Sequence, residues 1–165
     1  MSPKQLTRRG SFGIILGVAT CASARARDVD GPIFTNFGRP IDVSGLARGD
    51  WMRTMVGDDY PVFIRRRTIS EIEAVRAESI SLLSDPARDE DRAPDPQWIV
   101  VSGRCTHAGC DVVCGLGPFG GWACFCHGSY YDLSGRVRGG PARRNLPVVS
   151  YLKTGDFMTL LSSKE

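Results

Sequence analysis

Both histidines of this 165-residue chain stand within two positions of a cysteine: His107 beside Cys105, and His127 beside Cys126 and Cys124. Of the six cysteines, only Cys21 lies elsewhere; Cys105, Cys110, Cys114, Cys124 and Cys126 crowd into one short stretch. A disulfide scaffold spreads its cysteines along the chain, so this crowding with both histidines points to metal chemistry. The residues form two arms, Cys105-Thr106-His107-Ala108-Gly109-Cys110 and Cys124-Phe125-Cys126-His127-Gly128-Ser129. Zinc accepts two cysteines and two histidines. A zinc finger, however, usually keeps its cysteines on one arm and its histidines on the other, and here each arm is mixed. A site for two irons accounts for the mixing, each loop giving a cysteine to one iron and a histidine to the other. Structural zinc and a plain disulfide with bystander residues are the alternatives; the second leaves both histidine spacings to coincidence. Two neutral imidazoles in place of two thiolates remove two negative charges from the coordination shell. An added electron is then easier to accept, with potentials of roughly −150 to +300 mV against about −400 mV for all-cysteine plant-type ferredoxins.

Arms of this kind need a rigid frame, and the surrounding pattern is that of antiparallel β structure. Short apolar runs at Ile41–Val43 and Pro61–Ile64 predict strands, separated by the turn signals Ser44-Gly45 and Arg48-Gly49-Asp50. Trp98-Ile99-Val100-Val101 predicts a buried strand. Further strands are predicted around Trp122-Ala123, at Ser129–Tyr131 and from Phe157 to Leu161, between glycine-rich turns. Ser70-Glu71-Ile72-Glu73 fits a capping box with Ser70 as N-cap. Ile72, Val75, Ser79 and Ile80 then give an apolar stripe for one short helix at about 71–80. Residues 84–97, with Pro86, Pro94, Pro96 and five acids, read as a solvated loop. The triplet Arg65-Arg66-Arg67 reads as the solvated end of the Val62–Ile64 strand in preference to an anion or partner patch.

The N-terminus carries Lys4, Arg8 and Arg9 without an acid, then an apolar, small-residue run from Phe12 to Ala24. This is the layout of an export signal or short anchor, and Arg8-Arg9 after Thr7 resembles a twin-arginine leader. The run is shorter than the about 20 residues of a spanning helix. Cys21 is also a candidate for lipidation. We therefore expect residues 1–24 to be a signal or short anchor, 25–40 a tether, and 41–165 one domain with its metal-binding part at about 103–142. The net charge of +3 is too mild to argue for nucleic acid, and no nucleic-acid motif accompanies it.

The two arms resemble the cluster-binding boxes of Rieske proteins. Further matches resemble the Rieske subunit of bacterial-type quinol–cytochrome c reductase (cytochrome bc) complexes: Phe63-Ile64-Arg65-Arg66-Arg67-Thr68, the Asp85-to-Arg92 loop, Phe119-Gly120-Gly121-Trp122, Tyr130-Tyr131-Asp132, Ser134-Gly135-Arg136, Gly139-Gly140-Pro141-Ala142 and Asn145-Leu146-Pro147. The resemblance covers roughly residues 41–161. It implies a small antiparallel β sandwich with a cluster-binding subdomain, one short helix and an N-terminal signal or anchor. It implies one [2Fe–2S] cluster, with Cys105 and Cys124 on the inner iron and His107 and His127 on the outer one. It implies a disulfide between Cys110 and Cys126, hydrogen bonds from Ser129 to a bridging sulfide and from Tyr131 to the Cys105 sulfur, and a covering loop at Gly139-Gly140-Pro141. The family usually carries Leu where this chain has Ala108 and Pro where it has Phe125. Cys114 has no counterpart and is expected to be a free thiol.

The function implied is one-electron transfer from a membrane quinol, with linked proton release at His127, to a c-type cytochrome. The partners implied are cytochrome b and c-type cytochrome subunits. The location implied is the periplasmic side of a bacterial inner membrane. The alternatives are the Rieske small subunit of another periplasmic oxidoreductase, such as an arsenite-oxidase-like enzyme, and a soluble Rieske ferredoxin.

Overall fold

The computed structural model describes residues 33–35 and 37–162. The expected signal or anchor at 1–24, Cys21 and most of the tether lie outside the described residues. No helix among the described residues is long and apolar enough to cross a membrane.

Strands β1 (Ile33–Thr35), β3 (Trp51–Val56), β4 (Tyr60–Arg66) and β5 (Trp98–Ser102) form a central sheet in the order β1-β3-β4-β5. All its pairs are antiparallel except β1 with β3. Strand β2 (Pro40–Asp42) joins the hairpin of β10 (Tyr151–Thr154) and β11 (Phe157–Leu160) in a second, three-stranded sheet. The third sheet is a meander of β6 (Val113–Cys114), β7 (Gly120–Cys124), β8 (Ser129–Asp132) and β9 (Val137–Gly139). The fold is mainly β, as expected. The strand β3, which the sequence reading missed, alternates buried Met52, Thr54 and Val56 with more exposed Trp51, Arg53 and Met55. Its arginine and two methionines hid that period of two.

The central sheet is covered on both faces at β4 and β5, and that explains the composition of those strands. Side chains alternate along a strand. Val62, Ile64, Trp98 and Val100 therefore enter one core with Ile41, Met158 and Leu160 of the second sheet. Phe63, Ile99 and Val101 enter another with Trp122, Tyr131 and Val137 of the third. A strand buried on both faces has no polar position to alternate with, so β5 is apolar from Trp98 to Val101. Each such side chain contributes about 1.5–3 kcal/mol over its exposed state.

The same alternation overturns the reading of Arg65-Arg66-Arg67. Neither a solvated strand end nor a partner patch is present, because Arg65 and Arg67 are both 0% exposed. They lie on the Phe63 side, between the central and third sheets. Arg65 donates to Glu71 at 2.5 Å and to the Cys114 sulfur at 3.5 Å. Arg67 grips both carboxylate oxygens of Asp89, at 2.5 and 3.2 Å. Arg66 points the other way, donating to the Leu46 carbonyl and lying 5.5 Å from the Trp98 ring centroid.

These pairs also correct the helix. It is α1 (Ile69–Ala77), and its N-cap is Thr68, not Ser70. Two overlapping capping boxes were available, Thr68 with Glu71 and Ser70 with Glu73. The first is adopted because Glu71 reaches the Thr68 backbone N–H with one oxygen and buried Arg65 with the other. Ile80 falls beyond the helix, in a 3-10 turn at Ile80–Leu82. The stretch 84–97 is not a plain solvated loop either. It contains a short helix α2 (Asp89–Arg92), and Asp89 is buried.

Asp89 is the bolt between two parts of the fold. Besides Arg67, it accepts from Arg76 of α1 at 3.0 Å and from the Ser134 hydroxyl in the β8–β9 turn. Arg92 donates to the carbonyls of Ser134 and Leu146, both at 2.6 Å. Arg136 joins Asp132 at 2.7 Å to the Val75 carbonyl at 2.8 Å. Burial alone would push the Asp89 carboxyl up. The hydrogen bonds from Arg67 and Ser134 and the Arg67 charge outweigh it, so the group stays below the usual carboxylate range. A depressed carboxyl stabilises the fold above its unfolded-state pKa, and that share is lost as pH falls through the folded-state value. Below pH about 3.9, wild-type stability should therefore drop in acid titrations of the denaturant midpoint. Asp89→Asn should lack this part of the drop and should already be less stable at neutral pH by about 3–5 kcal/mol, because Arg67 is left buried without its counter-charge.

Candidate metal centre

The first arm leaves β5 and returns on itself. The Cys105 N–H donates to the Cys110 carbonyl at 2.7 Å, and the Gly109 N–H to the Cys105 carbonyl at 2.9 Å. In the second arm, between β7 and β8, the Gly128 N–H donates to the Cys124 carbonyl, again at 2.9 Å. Each arm is thus a Cys-x-x-x-Gly turn closed by the same bond. Each closing glycine has a left-handed backbone, φ +75° at Gly109 and +74° at Gly128, a conformation that costs other residues energy. This shared pattern was visible in the sequence and was not used.

The turns face each other. Cys110 and Cys126 form a disulfide that ties them, with Cα atoms 6.6 Å apart. Cys105 and Cys124 are free and buried beneath it. The rings of His107 and His127 meet edge to face, with centroids 4.8 Å apart, and both residues are exposed. Thiols therefore lie inside and imidazoles outside. The sulfurs of Cys110, Cys124 and Cys126 lie within 4.8 Å of one another. Two of these are consumed by the disulfide, so the three do not make a metal site of their own.

The buried sulfurs have donors aimed at them. The Tyr131 hydroxyl lies 3.3 Å from the Cys105 sulfur. It accepts from the Thr106 N–H at 3.2 Å. The Thr106 hydroxyl, 3.1 Å from the Tyr131 oxygen, gives its own proton to the Arg144 carbonyl at 2.6 Å. The phenolic proton is thereby left to the Cys105 sulfur and the Thr106 oxygen. Burial and the neighbouring Cys105 push the Tyr131 hydroxyl up to about 12, so it is a proton donor throughout the neutral range. Burial pushes both thiols up. At Cys105 it is outweighed by hydrogen bonds from Tyr131, the His107 backbone, Cys124 and Ser129, which hold the group below the ordinary thiol range. Cys124 is held above that range by burial and by Cys105. Thr106 is a participant that the sequence reading passed over, although its hydroxyl sits between two candidate ligands.

The segment after β9 covers this assembly. The Ala142 N–H donates to the buried Ser129 hydroxyl at 3.1 Å. Gly140 lies flat on the second arm: a Cβ there would overlap the Gly128 carbonyl and the Ser129 Cα. Of the expected site residues, Gly139 ends β9, Gly140 lies against the second arm, and Pro141 follows it, exposed. Ala108 is exposed, and Phe125 is 65% exposed on the second arm. Cys114 is a buried cysteine on β6, outside the disulfide, hydrogen-bonded by Arg65 and not part of the paired arms.

Two buried thiols and two exposed imidazoles, on loops tied by a disulfide, suit a group that wants soft sulfur on one side and nitrogen on the other. Fold and site together define a β-sheet iron–sulfur domain. Comparison with known proteins agrees. Residues 46–151 match the family model "Rieske [2Fe-2S] domain". The chain is similar to the mitochondrial Rieske subunit of the cytochrome b-c1 complex of Candida albicans, with 51% identity over 166 positions covering 95% of this chain and 78% of that protein. It is 52% identical to the Saccharomyces cerevisiae counterpart over 96 positions, 58% of this chain and 45% of that protein. A solved structure described as a hyperthermophilic respiratory Complex III covers 72% of this chain and 71% of its own, at 24% identity and a TM-score of 0.48. The chain belongs to the Rieske [2Fe-2S] family, whose cofactor is one [2Fe–2S] cluster.

Gly140→Ala should force the covering segment off the second arm. The expected outcome is a folded protein with less cluster per chain, read from the ratio of visible to ultraviolet absorbance, and faster bleaching in a chelator.

Proposed function

We propose that Cys105, Cys124, His107 and His127 hold the cluster, and that the chain is the electron-carrying subunit of a quinol–cytochrome c reductase. The observation that carries this reading is the sidedness of the centre: hydrogen-bonded thiols inside, two imidazoles at the surface. When bound, the cluster takes up and gives back one electron at a time. The chain's own residues do the rest. Tyr131 and Ser129 direct hydroxyl protons at the sulfur side, which favours the more negative, reduced state. The disulfide and the covering segment keep water from that side. His127, exposed, offers the ring nitrogen not spent on iron to a quinol hydroxyl, orients it, and takes its proton as the electron leaves the quinol. His107 completes the exposed edge through which the electron goes on to a c-type cytochrome.

In this reading catalysis belongs to an assembly with cytochrome b and a c-type cytochrome, and this domain is its electron carrier. The remaining expectations fit the same frame. Residues 1–24 would be the export signal or anchor and 25–40 the tether. The domain from 41 would stand on the periplasmic side of a bacterial inner membrane.

A redox titration at several pH values, with EPR of the reduced cluster, tests the assignment. A potential near the top of the range, about +300 mV, that falls as pH rises is expected. A flat value near −150 mV would mean a ferredoxin-like carrier and would end the quinol reading. Tyr131→Phe removes a donor from the sulfur and should lower the potential, on the order of the 59 mV that corresponds to a tenfold change in a one-electron equilibrium. A variant at the wild-type potential would show that the phenol does not act on the centre.

A further inference from the structure

The side chains of two arginines in the covering segment take no part in holding the centre. Arg143 and Arg144 follow Ala142, and both are exposed. Their backbone is pinned over the centre from three directions. Ala142 is bonded to Ser129 at 3.1 Å, the Arg144 carbonyl accepts from Thr106 at 2.6 Å, and the Asn145 N–H donates to Asp85 at 2.7 Å. Thr106 and Gly128, which the segment touches, are the chain neighbours of His107 and His127. The two guanidinium groups are therefore carried at the edge of the centre by a rigid support.

Several other arginines are matched with carboxylates, and these two are not. Arg53 and Arg104 share Asp111, at 2.5 and 3.0 Å, and Arg104 also reaches Asp59. Arg138 is paired with Glu78 at 3.3 Å. Among the described residues no carboxylate lies within 4.0 Å of Arg143 or Arg144. Two uncompensated cations at a fixed place form a local positive field. Such a field gathers anions and speeds their encounter by about 10- to 1,000-fold, an effect that salt removes.

We propose that Arg143 and Arg144 steer the electron acceptor onto the imidazole edge, and that the acceptor meets them with an acidic face. This rests on the electron-transfer reading but not on the quinol. The field acts on whatever anionic oxidant takes the electron, one electron leaving the reduced centre and reducing the acceptor by one. Substitution spares the Arg144 carbonyl that accepts from Thr106, so Arg143→Gln with Arg144→Gln should keep the wild-type EPR spectrum, and the potential of each variant is measured so that rates are compared at known driving force.

Stopped-flow oxidation of the reduced full-length protein tests this, with hexacyanoferrate(III) and an acidic c-type cytochrome as oxidants over a range of ionic strengths. For the wild type, both rates should fall as salt rises. In the double Gln variant the low-salt rates should fall by up to roughly tenfold and the salt dependence should flatten. The double Lys variant, which keeps both charges, should retain the wild-type slope. If the double Gln variant loses its cluster, each single Gln variant should show part of the flattening. A Gln variant with the wild-type slope overturns the proposal. Failure of the redox titration above would remove the quinol and leave this result standing.

Discussion

Burial of one sheet on both faces is the constraint from which the rest of the molecule follows. With solvent excluded from either side of β4 and β5, their buried apolar residues from Val62 to Ile64 and Trp98 to Val101 each commit to one of two cores. The sheet that carries the second arm then has an apolar wall to stand on. It is held there by charge as well. Arg67, projected by strand alternation into the interface, meets a carboxylate from a different segment, and Asp89 meets Ser134 from the third sheet. Buried ion pairs are weak sources of net stability, because the desolvation of both partners offsets most of their attraction. What they add here is placement: few arrangements satisfy Arg67, Arg76 and Ser134 at one carboxylate.

The metal centre repeats this logic on a smaller scale. Two short turns of the same hydrogen-bonded form face one another. Neither has a core of its own, so the disulfide, the covering segment and the Tyr131–Thr106–Arg144 chain of hydrogen bonds supply rigidity from outside. Position within each turn decides which ligand candidate goes where. The cysteine that opens each turn is buried, Cys124 at the end of β7 and Cys105 just beyond β5, whereas the histidine rides on the outward bend.

Much of this was legible in the sequence, and the rest was not, for physical reasons. The arms, the buried Trp98–Val101 strand and the strands flanking the second arm were readable because they depend on residue type and local spacing. The helix was readable in kind but not in register. Thr68 and Ser70 offer equivalent local caps, and the choice between them is made by Arg65, a tertiary partner. The arginine triplet was misread because a run of charge implies solvent unless counter-charges are known, and the partner of Arg67 lies 22 positions away. The pairing of Thr106 with Tyr131 is likewise a contact between separate loops. Local pattern carries no information about such contacts.

The crowding of sulfur around Cys124 has a consequence for how the chain matures. Three cysteine sulfurs within 4.8 Å of one another can be joined as a pair in three ways. Only the bond between Cys110 and Cys126 leaves Cys124 with a free thiol. An oxidant acting on the bare chain faces a choice that spacing alone does not resolve. Once Cys124 is engaged elsewhere, a single pairing remains. The arrangement therefore favours one chronology, in which occupation of the inner sulfurs comes first and closure of the bridge seals it.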